Sequence, residues 1–293
     1  MSFRLPLLII LILFESITSL NRNAVWQDDL SLWKDTVRKS PGKARIHNNL
    51  GTVCLRVSRK WAFDEFREAI RLNPDLAEPH NNLASLLNEL GRYGEALQEL
   101  EVALRIWPSY ADAHNNLGNA LKGLGKIDLA EQGFRKAISS KPGHYTAWMN
   151  LGNVLYQQGR AQESLKAYQR AIELKPDYAE AYNNLGNLYR VQGDNEKAVH
   201  SYETAIRFRP DYAEAYNNLG NMYKMRGEIE RAILTYQEAL RANPSIVEIR
   251  INLANTYIAQ GDMASAAKEC EIIERLAPNH PLLNSLKARI SRS

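Results

Sequence analysis

The chain has 293 residues and 45% of them are hydrophobic, a share too high for a disordered protein. Its net charge is only +4, so there is no basic footprint of the kind nucleic acid requires, and nucleic acid is not expected as a partner.

The first predicted element is apolar. Arg4 precedes an unbroken run from Leu5 to Phe14, and Glu15, Ser16, Thr18 and Ser19 then weaken it. A membrane span needs ~20 apolar residues, so residues 1–20 read either as a secretory signal peptide or as a marginal anchor. Either way, contact with a membrane is expected through residues 5–20. Arg22, Lys34, Arg38 and Lys39 follow the run, and for a retained anchor this charge bias would place the remainder on the cytoplasmic face. A signal peptide would place it outside.

Residues 21–43 form a linker and a lone helix. Trp26, Leu30, Trp33 and Val37 fall at helical spacing, which predicts a capping helix over residues 24–39.

Residues 44–278 repeat. Pro74, Pro108, Pro142, Pro176, Pro210, Pro244 and Pro278 each stand 34 positions after the last. A leucine recurs at Leu50, Leu83, Leu117, Leu151, Leu185, Leu219 and Leu253, and each is followed by glycine or alanine. Eight positions after the leucine stands a turn glycine, from Gly91 to Gly261, although the first unit has none. Further on come a small residue, then a large one such as Phe134, Tyr168 or Tyr202, and then alanine. The leucine, small and aromatic positions make one helical stripe, the glycine ends a first helix, and the proline ends a second. Each unit is thus a helical hairpin that stays apolar until a neighbour stacks on it. Cys54 and Cys270 occupy large apolar positions of this pattern and read as buried thiols.

The last predicted element, over residues 279–293, is a closing helix. It opens at Pro281, turns Leu283, Leu286 and Ile290 inward, and leaves Lys287, Arg289 and Arg292 to water.

This pattern resembles the tetratricopeptide repeat (TPR) family over residues 44–278. The aromatic usual near the start of the first helix is Trp148, Tyr182 and Tyr216, while His47, His80, His114 and Arg250 depart from it. The resemblance implies an all-α right-handed superhelix, an α-solenoid of seven hairpins with a capping helix at each end. Such a fold offers a partner a long surface and offers a reaction no closed pocket.

No motif for nucleophilic, metal or phosphate chemistry is present, so no catalytic residue, metal or cofactor is expected. His47, His80 and His114 share one repeat position, and helix layers ~10 Å apart cannot bring them to one metal. They read as stand-ins for the aromatic.

The informative constellation is a double row of amides. Before every repeat leucine stands an asparagine: Asn49, Asn82, Asn116, Asn150, Asn184, Asn218 and Asn252. Two positions after the leucine come Thr52, Ser85, Asn119, Asn153, Asn187, Asn221 and Asn255. Members of the two rows are three apart and share a helix face. Asparagine costs up to ~0.7 kcal/mol against alanine inside a helix, so the rows ask for a reason. An amide donates and accepts at once, as a peptide group does, and a ladder of amides can hold an extended backbone of any sequence. The rows resemble the asparagine ladder in the TPR domain of the O-linked N-acetylglucosamine transferase family, which implies protein or peptide partners in extended conformation on the concave face. The other reading is structural, with the amides bonded to neighbouring helices.

Charged columns flank the rows. Glu78, Asp112, Glu180, Glu214 and Glu248 share an early position of the first helix, and Lys122, Arg190 and Lys224 share a late one. Helix-dipole complementarity accounts for both. The basic column also suits an acidic partner segment, so it joins the candidate binding residues.

The stretch from Asn21 to Arg45 is similar to the point where transmembrane-and-TPR mannosyltransferases leave their last membrane helix. That resemblance implies repeats on the extracytoplasmic side, periplasmic or lumenal. Those enzymes carry their catalytic acids in early membrane loops, which have no counterpart here. Two function classes therefore stand: a membrane-associated or exported scaffold, and the substrate-recruiting part of a protein O-glycosylation system.

Overall fold

A computed structural model of the protein describes residues 28–291. Sixteen α-helices and no strand are found among them. They form two compact units that divide between Pro142 and Gly143.

The first unit holds α1 (Asp29–Lys39), α2 (Ala44–Cys54), α3 (Arg59–Leu72), α4 (Ala77–Glu89), α5 (Tyr93–Ile106), α6 (Ala111–Gly123) and α7 (Ile127–Ser140). The second holds α8 (Tyr145–Gln157), α9 (Ala161–Leu174), α10 (Ala179–Val191), α11 (Asn195–Phe208), α12 (Ala213–Met225), α13 (Ile229–Ala242), α14 (Val247–Gln260), α15 (Met263–Leu276) and α16 (Leu283–Ile290). From α2 to α15 the helices pair into hairpins, three in the first unit and four in the second.

The turn inside a hairpin needs a left-handed residue. Gly125 has φ of 73°, its N–H bonds Lys122 O at 2.9 Å, and the N–H of Lys126 reaches back to Leu121 O at 2.9 Å. These two bonds satisfy the last carbonyls of α6. The first hairpin has no such glycine. There Val57 and Ser58 both donate to Cys54 O, at 2.9 and 2.8 Å, and the Ser58 hydroxyl accepts from Trp61 N–H at 3.3 Å to start α3.

The core of each hairpin rests on a match between two repeat positions. A Cβ added to Gly118 would lie 2.5 Å from the Phe134 ring, and one on Gly186 would lie 2.6 Å from the Tyr202 ring. Gly51 meets Phe66, Gly152 meets Tyr168, and Gly220 meets Tyr236 in the same way. Where the large residue is Leu100 or Cys270, the small one is Ala84 or Ala254. The bare backbone is kept where a ring must lie on it.

The departures from the aromatic position have their own chemistry. His47 bonds Pro41 O at 2.9 Å and Glu65 at 2.6 Å, and His80 bonds Pro74 O at 3.1 Å and Glu99 at 2.6 Å. Arg250 repeats the scheme with Pro244 O and Glu269. In the third hairpin Gly133 replaces the acid, so His114 bonds Pro108 O at 2.8 Å while its buried Nδ1 has no partner.

The terminal helices cover the ends of the array. Asp28 and Ser31 form a capping box that starts α1, and Leu30, Trp33 and Val37 pack on the core of the first unit. Trp26 lies outside the described residues. In α16, Leu283 and Leu286 are buried and Ile290 packs beside them.

Candidate protein-binding face

The asparagine rows lie on the first helix of each hairpin, and inside each unit they are tied by hydrogen bonds. In the first unit Asn82 donates to Asn48 Oδ1 at 2.9 Å and Asn116 donates to Asn81 Oδ1 at 2.9 Å. In the second, Asn218 donates to Asn183 Oδ1 at 2.9 Å and Asn252 to Asn217 Oδ1 at 2.8 Å. Each bond joins neighbouring hairpins. One step differs, because Met149 stands where the others carry the accepting asparagine, and there Asn184 donates to Asn153 Oδ1 at 2.9 Å. Asn150 is buried, and Asn49 is exposed.

The second row is tied within the hairpin. Tyr168 donates its hydroxyl to Asn153 Oδ1 at 2.7 Å, Tyr202 to Asn187 at 2.9 Å, and Tyr236 to Asn221 at 2.7 Å. Asn119 has Phe134 at the corresponding place, without a hydroxyl. Asn255 donates to Ile251 O at 3.0 Å and accepts from Arg289.

These bonds give the face a polarity. Asn116, Asn184, Asn218 and Asn252 direct an N–H inward and keep their carbonyl oxygen for another donor. Asn187 and Asn221 direct the carbonyl inward and keep N–H groups for another acceptor. All six are half-buried, with one side open. A peptide group needs both an acceptor for its N–H and a donor for its C=O, and the two rows present these side by side.

The flanking charges are less uniform. Lys122 and Lys224 are half-buried, and burial holds both ammonium groups below the usual lysine range, with Arg289 repelling Lys224 further. Arg190 is exposed beside the Tyr202 hydroxyl, whose pKa burial pushes up to about 12. Arg209 pairs with Glu180 at 2.5 Å, and Asn183 donates to Glu214 at 3.0 Å. Among the described residues no cluster of His, Cys, Asp and Glu is placed to hold a metal. Cys54 and Cys270 are free, buried thiols.

Sequence reasoning missed Asn48, Asn81, Asn183 and Asn217, the acceptors of the first row. The available signal was the doublet Asn-Asn before the repeat leucine, together with its interruption at Met149.

Comparison with known proteins gives one kind of match. Family models described as TPR repeat match residues 84–125, 152–190 and 186–227, and models described as tetratricopeptide repeat match residues 65–98, 111–144 and 223–290. No curated protein matches significantly. Among solved structures, one from a functional characterization of Pseudomonas aeruginosa PilF is 22% identical with a TM-score of 0.62, covering 77% of this chain and 98% of that one. The APC/C hetero-tetramer Cut9–Hcn1 is 15% identical with a TM-score of 0.72, covering 93% of this chain and 54% of that one. At these identities the likeness is one of fold.

Proposed function

The chain belongs to the tetratricopeptide repeat family, and on that footing we propose that it is a non-catalytic scaffold whose amide rows hold an extended segment of another protein. TPR arrays serve protein–protein interaction, and every family model that matches here is a repeat model.

The observation that carries the reading is the polarity of the rows. The inward bonds leave Asn116 and Asn218 with an outward acceptor and Asn187 and Asn221 with an outward donor. Fixing each carboxamide before a partner arrives lowers the ordering cost of binding. Backbone capture of this kind tolerates any side chains on the partner. Lys122, Arg190 and Lys224 would then favour acidic segments.

A displayed library of random linear peptides tests the reading. The wild-type chain retains members without a shared side-chain motif, and retention drops when Asn187 and Asn221 are replaced together by alanine. Equal retention by the folded double variant sinks the proposal.

The N-terminal run and the junction sequence support a membrane-associated or exported scaffold, with the repeats extracytoplasmic. Residues 1–27 lie outside the described structure, and no described helix is long and apolar enough to cross a membrane. An alkaline phosphatase fused after Ser293 is active if the repeats are exported and inactive if they face the cytoplasm. The junction from Asn21 to Arg45 also favours a second reading, in which the scaffold recruits substrates for a protein O-glycosyltransferase. Co-purification with a multispanning glycosyltransferase tests that role, and its consistent absence counts against it.

A further inference from the structure

The residue that N-caps each first helix forms a further repeat column. It is Tyr110 for α6, Tyr178 for α10 and Tyr212 for α12, but Lys43 for α2, Leu76 for α4, His144 for α8 and Ile246 for α14.

Where the residue is tyrosine, the ring folds over the preceding first helix. Tyr110 brings its hydroxyl to 3.4 Å from the Asn81 amide, and burial, with the Asp112 and Glu78 carboxylates adding to it, raises its pKa. For Tyr212 burial raises the pKa in the same manner, and Glu214 and Glu180 add to it. Each ring also carries a lid from three positions earlier. Trp107 stacks on Tyr110 with centroids 4.4 Å apart, Lys175 stands 5.2 Å from the Tyr178 ring centroid, and Arg209 stands 3.5 Å from that of Tyr212.

At Leu76 and Ile246 the ring is missing and the space is open. In the second unit Ile246, Glu214, Asn217 and Glu248 line a cavity of about 260 Å³. In the first unit Leu76, Arg45, Asn48 and Glu78 line one of about 280 Å³. The lining in the second unit corresponds to the tyrosine site throughout, with Glu214 at the repeat position of Glu78. That in the first unit corresponds except that Arg45 takes that place. Asn217 and Asn48 occupy the repeat position of Asn81, and Glu248 and Glu78 occupy that of Asp112. The lid is missing too. Asn73 and Asn243 stand in its place, and each accepts a bond from its own turn, from Asp75 N–H at 3.0 Å and from Ser245 N–H at 3.1 Å.

From this we infer that the two cavities are vacant copies of a tyrosine niche, and that each takes an aromatic side chain, tyrosine by preference, from the segment held on the amide rows. The source of the ring rests on the scaffold reading; the chemistry of the niche does not. A cavity of ~150 Å³ already admits benzene, so a phenol fits either space. Its ring covers Leu76 or Ile246, and its hydroxyl meets the amide of Asn48 or Asn217, as that of Tyr110 meets Asn81. In the second unit Glu214 and Glu248 accept an O–H and repel an acidic side chain, and in the first Glu78 accepts the O–H beside Arg45.

The test uses the full chain, isotopically labelled, and p-cresol as the probe. Saturable NMR shifts are expected at the amides of Leu76 and Glu78 and at those of Ile246 and Glu248, with weaker shifts from toluene. Leu76→Tyr removes the first set only and Ile246→Tyr the second set only. Both variants fold, because tyrosine is the residue that other hairpins carry there. A tyrosine-bearing linear peptide loses about tenfold in affinity to the double variant, the scale of one buried ring. The niche is refuted by absent cresol shifts, by shifts that persist in the tyrosine variants, or by unchanged peptide affinity. Cresol shifts without any binding of linear peptides refute the scaffold reading instead.

Discussion

Tyr202 donates its hydroxyl to the carboxamide oxygen of Asn187 across 2.9 Å, which ties the second helix of a hairpin to the amide row on the first. In the third hairpin Phe134 fills the same place as a bare ring. The ring alone therefore satisfies packing, and the hydroxyl acts on the amide.

Tyr202→Phe separates the two roles. The ring keeps its seat on Gly186, so the loss is one hydrogen bond, about 0.5–1.5 kcal/mol in a urea titration. Peptide retention also falls, because the Asn187 amide is no longer fixed. A loss of several kcal/mol would mean that the ring itself had moved.

Gly118→Ala places a methyl 2.5 Å from the Phe134 ring and is expected to cost about 1–3 kcal/mol by overpacking. Adding Phe134→Leu recreates the pairing of Ala84 with Leu100. The double variant should be more stable than Gly118→Ala alone, as a thermal melt would show. A double variant that melts lower than the single one would break the proposed match between the two positions.

Much of this was legible in the sequence. The proline and leucine registers define the hairpins, because helix stops and apolar stripes act locally. The asparagine rows could be placed on one helix face for the same reason. Their bonding could not. Asn81 and Asn82 are adjacent in sequence, and only the stacking of α4 on α6 makes Asn81, rather than a water, the acceptor for Asn116. The niches were hidden for a related reason. Leu76 and Ile246 look like ordinary apolar substitutions for tyrosine until the neighbouring helix shows what the ring would have filled.

Alkaline pH should weaken the fold. Burial pushes the pKa of Tyr110, Tyr202 and Tyr212 up to about 12, against 10.0 for a free tyrosine. The folded state binds these protons more tightly than the unfolded state. Their contribution is complete below pH ~10 and is lost as pH rises from there towards 12. Denaturant midpoints measured across this range should fall, and the rings of Tyr110, Tyr202 and Tyr212 should ionise together with unfolding. Phenolate formation at Tyr110, Tyr202 or Tyr212 at pH 10 in a fully folded chain, read from ring resonances assigned residue by residue, would contradict the assignment.

The first hairpin should open before the second. Its turn from Leu55 to Ser58 has no left-handed glycine, whereas Gly91 serves the next hairpin with φ of 71°. Cys54 reports on this opening, since burial pushes its thiol up to about 11 and leaves little thiolate at pH 8. Alkylation of Cys54 is therefore expected only through local unfolding, and amides of α2 and α3 should exchange faster than those of α4 and α5. Protection of α2 and α3 equal to that of α4 and α5 would remove the role given to the turn.

The amide rows admit a matched comparison. Asn116→Ala with Asn218→Ala deletes two inter-hairpin bonds and two outward carbonyls. Asn81→Ala with Asn183→Ala deletes the same two bonds from the acceptor side and leaves those carbonyls in place. The second pair also loses the bonds from Asn183 to Glu214 and from Asn81 to the Tyr110 hydroxyl, so it should be the less stable of the two, each bond contributing about 0.5–1.5 kcal/mol. Alanine's better helix propensity returns up to ~0.7 kcal/mol per site and applies equally to both pairs. If the asparagines only hold the array together, peptide retention follows stability, and the second pair binds worse. If the outward carbonyls hold a partner backbone, the order reverses, and the more stable variant is the poorer binder. Melting temperature and peptide retention measured on the same two proteins decide the matter, and retention that tracks stability would end the ladder as a binding device.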